Sequence, residues 1–413
     1  MSRLIALAAL IVGCEPAPLL AIDGAMPTGP AALFDAGPLA EGVAVYADAR
    51  APLPDVSVHH SDATCPAGSA VGTICTPNDD PIPGAQVVAH TRDCAGAAIQ
   101  VRASTDPTGY FRLDGLAPGP TTVDVSSGSF IGQFHVEVEA DRAVTVAEQG
   151  SPKACLPTNA ARLAVLTGDY DDIGAVISEL GFEYDDFCGT YEAHLPARQL
   201  LHDQGRLFQY DVVFINCATG IDLRGESPEA VRIRSNLREF VARGGSIYVS
   251  DLAAGVIDSL WPGRITFDAT GTLLQVDPCC TCVECADECL VDPPSPPSRR
   301  CPDPNALQGV CRDPGGLTGH GLVGEMEAQL VSPILREAVG EDALMITFEL
   351  NNWMQIADVA PGVEVLVSAQ GRPLMVRFRP STNAGQVAYT SFHNHAQATL
   401  PMLAILRSLV FSL

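Results

Sequence analysis

The chain has 413 residues, a formal net charge of −25, 14 cysteines and a single lysine, Lys153. That charge repels phosphate backbones and anionic head groups, which excludes nucleic acid as a partner. One lysine leaves no Schiff-base candidate elsewhere, and no Gly-rich loop ends in Lys-Ser or Lys-Thr, so phosphate-loop chemistry is excluded as well.

The chain opens with Arg3, an apolar run from Leu4 to Val12, then Gly13-Cys14. A positive charge, a short greasy stretch and a small residue read as a secretory signal, and the run is too short for a stable bilayer span. Ile11-Val12-Gly13-Cys14 resembles the lipobox of bacterial lipoproteins. The resemblance implies cleavage before Cys14, acylation of its thiol and new amine, and attachment to the membrane through the acyl chains. Glu15, in place of an aspartate, implies an outer-membrane destination. Lipidation of Cys14 leaves 13 of the 14 cysteines, an odd number, for an oxidising compartment that favours disulfides. Residues 14–62 are rich in Ala, Pro and Gly without sustained period and read as a flexible tether.

Residues 63–150 are read as all-β. Val71–Cys75, Gly84–His90 and Tyr110–Leu113 are strand-like runs separated by turn residues. Pro81-Ile82-Pro83-Gly84-Ala85-Gln86-Val87, Asp106-Pro107-Thr108-Gly109-Tyr110-Phe111 and Leu116-Ala117-Pro118-Gly119 together resemble the carboxypeptidase regulatory-like domain. The resemblance implies a transthyretin-like β-sandwich, with Gly109 and Gly119 at turns and Phe111 facing inward. If the turn at Asn78-Asp79-Asp80-Pro81 joins antiparallel neighbours, residues whose numbers sum to about 160 lie opposite each other. Cys65 and Cys94 then meet as a disulfide, and Cys75 or Cys155 pairs elsewhere.

Residues 160–413 switch to strands alternating with helices, the pattern of a mostly parallel sheet. Buried strands are expected at Arg162–Thr167, Asp211–Asn216, Ser246–Ser250 and Gly385–Ser391, with a short one at Phe182–Asp185. Asp171 or Asp172 caps a helix stopped by Gly181, Ser227-Pro228-Glu229 opens another, and a last apolar helix runs from about Thr399 to Phe411. This order resembles the class I glutamine-amidotransferase-like fold, which implies a flavodoxin-like sheet. In that family the segment Gly244–Asp251 would bring a nucleophile to a strand–helix elbow, and Gln386–His393 would bring a histidine.

Ligands of open α/β sheets bind outside the carboxyl ends of the strands. The expected ends place Asp169, Asn216, Ser250, Asp251, His393 and His395 there. Amidotransfer needs a cysteine at the elbow, where the chain offers Ser250. The function expected is therefore a non-catalytic envelope lipoprotein that displays or binds an envelope protein or carbohydrate. The enzymatic alternative is a Ser–His hydrolase built on Ser250 and His393. No cofactor or metal is expected. Within the insert 276–316, Cys282 and Cys285 form a CxxC pair, and the exported setting favours disulfides over zinc.

Overall fold

The computed structural model describes residues 66–93, 95–147, 151–190, 193–217, 220–221, 223–268, 277–278, 319, 321–348, 353–392 and 400–413. Cys14, the tether, Cys65, Cys94, nearly all of the cysteine-rich insert, His393 and His395 lie outside these residues.

The first part is two packed sheets. Strands β1 (Gly68–Cys75), β2 (Gln86–Arg92), β3 (Ala98–Ser104), β4 (Tyr110–Leu116), β5 (Gly119–Ser127), β6 (Phe130–Val138), β7 (Ala143–Thr145) and β8 (Ala154–Cys155) make them up. One sheet has the order β4-β1-β7, with β8 beside β1; the other runs β3-β2-β5-β6. Alternation decides which side chains enter. Phe111, Leu113, Val87, Ala89, Val123 and Val125 are buried, while their neighbour Tyr110 is 42% exposed. A disulfide joins Cys75 to Cys155, across paired β1 and β8.

The turn near Asp80 does not make a β1–β2 hairpin. β1 and β2 lie in opposite sheets, so the register argument for pairing Cys65 with Cys94 loses its premise. Pro81 and Pro83 explain the departure, because neither can donate to a ladder. The chain crosses between sheets there, leaving only an isolated bridge between Cys75 and Pro81.

The second part is a long mixed sheet. Its elements are β9 (Leu163–Leu166), α1 (Ile173–Glu179), β10 (Asp185–Phe187), α2 (Leu195–His202), α3 (Gln204–Leu207), β11 (Val212–Ile215), α4 (Pro228–Ala242), β12 (Ser246–Ser250) and α5 (Ala254–Leu260). There follow β13 (Ile265–Phe267), β14 (Asp277–Pro278), β15 (Gly324–Leu330), α6 (Pro333–Val339), β16 (Ala343–Phe348), β17 (Ile356–Val359), β18 (Glu364–Ala369), β19 (Arg372–Phe378), β20 (Val387–Thr390) and α7 (Leu400–Val410). The order is β10-β9-β11-β12-β20-β19-β18-β15-β14, with β16 also on β15. β10, β9, β11, β12 and β20 are mutually parallel. From β19 onward the pairing is antiparallel, an extension the expected mostly parallel sheet does not contain.

The parallel strands are apolar on both faces, as strands covered on both sides must be. Val165, Phe214, Tyr248 and Ala388 join a core with α1, α7 and the sandwich. Their alternates Ala164, Leu166, Val213, Ile215, Val249 and Tyr389 join a second core with α2, α4 and α5. The sandwich is fastened to the first face. Phe130 packs against Phe182 and Phe411 at centroid distances of 4.6 and 5.3 Å. The Ser129 hydroxyl donates to the Leu413 carbonyl at 2.8 Å, and Asn78 Nδ2 donates to the Glu179 carbonyl at 2.8 Å. Shared aromatic packing and these bonds make the two parts one compact unit, from Ala63 to Leu413.

Candidate functional site

The parallel strands deliver the ends of β9, β11, β12 and β20 to one edge. Register aligns Ile215 with Leu166 and Val249, and Ser250 with Thr390. The residues just beyond therefore converge. Gly168 makes this possible: a Cβ there would lie 1.8 Å from the Cys217 carbonyl oxygen, so only glycine lets the loop after β9 pass the end of β11.

That loop turns Asp171 inward. Adjacent Asp172 takes the helix-capping role, accepting from Ala175 N, and Asp171 is left buried at 8% exposure. The Ser250 hydroxyl donates to Asp171 Oδ2 at 2.5 Å, and Asn216 Nδ2 donates to the Asp171 carbonyl at 3.2 Å. Ser250 and Asn216 are both fully buried. Asn216 Oδ1 and Ser391 Oγ are buried with no hydrogen-bond partner among the described residues.

β12 ends at Ser250 with extended backbone, and the next residue, Asp251, has φ 39°. A left-handed aspartate between strand and helix is uncommon and is held by its surroundings. Asp251 Oδ1 accepts from Met354 N at 2.6 Å, the Cys217 thiol donates to Oδ2 at 3.4 Å, and Tyr389 OH donates to the Asp251 carbonyl at 3.0 Å. Burial disfavours the charged carboxylate and raises the Asp251 pKa to about 7; the two donors to the carboxylate oppose this, and the neighbouring Asp171 adds to it. The Cys217 thiol is pushed well above its ordinary value by burial first and by Asp251 and Asp171 next, so it stays protonated and donates.

Of the residues placed here from sequence, Asn216, Ser250 and Asp251 gather around Asp171 and Cys217. Asp169 sits on the exposed loop after β9, beside Tyr170, which is 39% exposed. The left-handed residue between β12 and the helix that follows is Asp251, one residue past Ser250. Asp171 is the member that sequence reasoning assigned elsewhere. The available signal was that one helix cap needs only one of two adjacent acids.

The described members of the cluster are buried and bonded to one another. Attack from Ser250 or Cys217 is disfavoured by burial of both, and the thiol is held neutral.

The family model of the carboxypeptidase regulatory-like domain matches residues 69–148, which hold nearly all of β1 and the strands β2 to β7. No curated protein matches the chain. Among solved structures, a protein of Thermoplasma acidophilum assigned to GMP synthase is 9% identical, covering 61% of this chain and 94% of its own, at TM-score 0.33. A cytoplasmic protein of Salmonella typhimurium is 12% identical over 61% of this chain and 98% of its own, at TM-score 0.34. A second cytoplasmic protein, of Salmonella typhimurium LT2, is 11% identical over 60% and 98%, at TM-score 0.32. Scores this low do not establish a common fold.

Proposed function

We propose that the chain is a lipid-anchored protein of the bacterial envelope whose α/β part binds an envelope protein or carbohydrate without transforming it. The lipobox-like Ile11-Val12-Gly13-Cys14 supports the anchor, and no helix among the described residues is long and apolar enough to cross a membrane. The parallel strand order β10-β9-β11-β12-β20, which is 2-1-3-4-5 in chain order, supports a flavodoxin-like reading. The same order is consistent with the glutamine-amidotransferase-like resemblance, with an aspartate, Asp251, where that family has its nucleophile.

One observation carries the non-catalytic reading: the Ser250 hydroxyl is fully buried and donates to Asp171. A serine nucleophile needs access to substrate, which a fully buried hydroxyl does not have. A buried acceptor such as the unpartnered Asn216 Oδ1 is stabilised by a donor that ordered water or a small donor group brings. Two measurements test the proposal. Wild-type protein takes up labelled fatty acid and fractionates with membranes, while Cys14→Ser does neither. Purified protein and Ser250→Ala hydrolyse a panel of p-nitrophenyl esters at the same background rate. A soluble, unlabelled wild type removes the anchor, and an ester activity lost in Ser250→Ala removes the non-catalytic reading.

A further inference from the structure

A groove of about 700 Å³ lies between α2, α3 and the start of α4, on the helical layer that covers the second core. Its lining includes Arg198, His202, Asp203, Arg206, Glu229 and Arg232. Three arginines in one depression stand out in a chain of net charge −25.

The two acids of the groove are already engaged. Glu229 forms an ion pair with Arg198 through both of its oxygens. Asp203 caps α3, its Oδ1 accepting from Gly205 N at 3.0 Å and Arg206 N at 3.2 Å. The other two arginines keep donors in reserve. Arg232 gives only Nε, to the His202 carbonyl at 3.2 Å, which completes the end of α2 and leaves its terminal nitrogens without a hydrogen bond among the described residues. Arg206 lies over the Phe187 ring with its Cζ 5.7 Å from the centroid and makes no hydrogen bond from its guanidinium among the described residues. The 15-residue α4 adds the positive end of its dipole, with Pro228 in its first turn.

Two arginine forks with unused donors, one neighbouring acid paired to Arg198 and the other turned to cap α3, and a helix start at the rim are complementary to oxygen anions. From this juxtaposition we infer that the α2–α3–α4 groove is a binding site for an oxyanion ligand, a small molecule or chain end bearing carboxylate or phosphate groups. It is separate from the carboxyl-edge cluster, and its occupation does not depend on the chemistry there. The chain as a whole carries a net charge of −25, so anion binding is concentrated at this groove and weakens with salt.

The test is calorimetric titration of the full chain with two probes, inorganic phosphate and tri-galacturonate, at low and high salt. Saturable binding of either probe is expected, and the responding probe identifies a phosphate or a carboxylate source. Arg206→Gln/Arg232→Gln should weaken it about tenfold or more, while Arg102→Gln, on the exposed face of the sandwich, should leave it unchanged. Arg232→Lys keeps the charge and loses the fork, and gives an intermediate affinity if the double variant is unfolded by circular dichroism. Absence of saturable binding by both probes, or equal binding by the Arg206/Arg232 variants, overturns the inference.

Discussion

Asp251→Asn should remove a pH dependence of stability that the wild type carries. The Asp251 carboxyl is raised from 3.8 to about 7, chiefly by burial. In the unfolded chain it ionises near pH 4, so between about pH 4 and pH 7 the folded state holds one proton more than the unfolded state. Stability from this group is therefore full below the unfolded value and is lost as pH rises through the folded one. The loss is about 1.4 kcal/mol per pH unit, or roughly 4 kcal/mol across the window. Asparagine is neutral throughout. Its carbonyl keeps the bond from Met354 N, and the weak thiol donor of Cys217 loses its partner. Urea unfolding of both proteins at about pH 4.5 and about pH 7.5 isolates the effect, because every other titrating group is common to the pair. Wild type should lose about 3 kcal/mol relative to Asp251→Asn over that interval. Equal pH slopes for the two proteins would show that Asp251 is ionised in the fold and that burial does not govern it.

Two further outcomes follow from packing and cross-linking. Gly168→Ala drives a methyl into the Cys217 carbonyl 1.8 Å away and should cost about 2 kcal/mol or more in urea unfolding; an unchanged midpoint would show that the loop after β9 can retreat from β11. Cys75→Ala/Cys155→Ala opens a bridge spanning 80 residues and should cost about 4 kcal/mol on the chain-entropy estimate, and a loss below about 1 kcal/mol would mean the unfolded chain is not restrained there.

The parallel strands are legible in the sequence because burial on both faces writes them as unbroken apolar runs, such as Val212–Ile215 and Ile247–Val249. Helix ends were legible for a similar reason: Ser227 caps α4, and Gly181 follows the last turn of α1 at φ 86°. The β18–β19 hairpin had a signal that went unused. Gln370-Gly371 joins two apolar runs, and both residues have positive φ, at 50° and 78°, as a tight two-residue turn requires. The β1–β2 crossover was not legible, since a turn sequence fixes a change of direction but not which sheet the next strand joins. Nor was the place of Asp171 in the site. Two consecutive aspartates before a helix are equivalent until the fold turns one inward. The one-residue offset from Ser250 to Asp251 has the same origin, because positive φ at a non-glycine residue is imposed by tertiary contacts.

Treating the full chain with a fluorophosphonate serine probe and mapping the adducts by mass spectrometry tests the non-catalytic site most directly. A buried Ser250 whose hydroxyl donates to Asp171 predicts no adduct at Ser250 in the folded protein. Stoichiometric labelling of Ser250, abolished by prior unfolding, would contradict it and would make the carboxyl edge a hydrolase site.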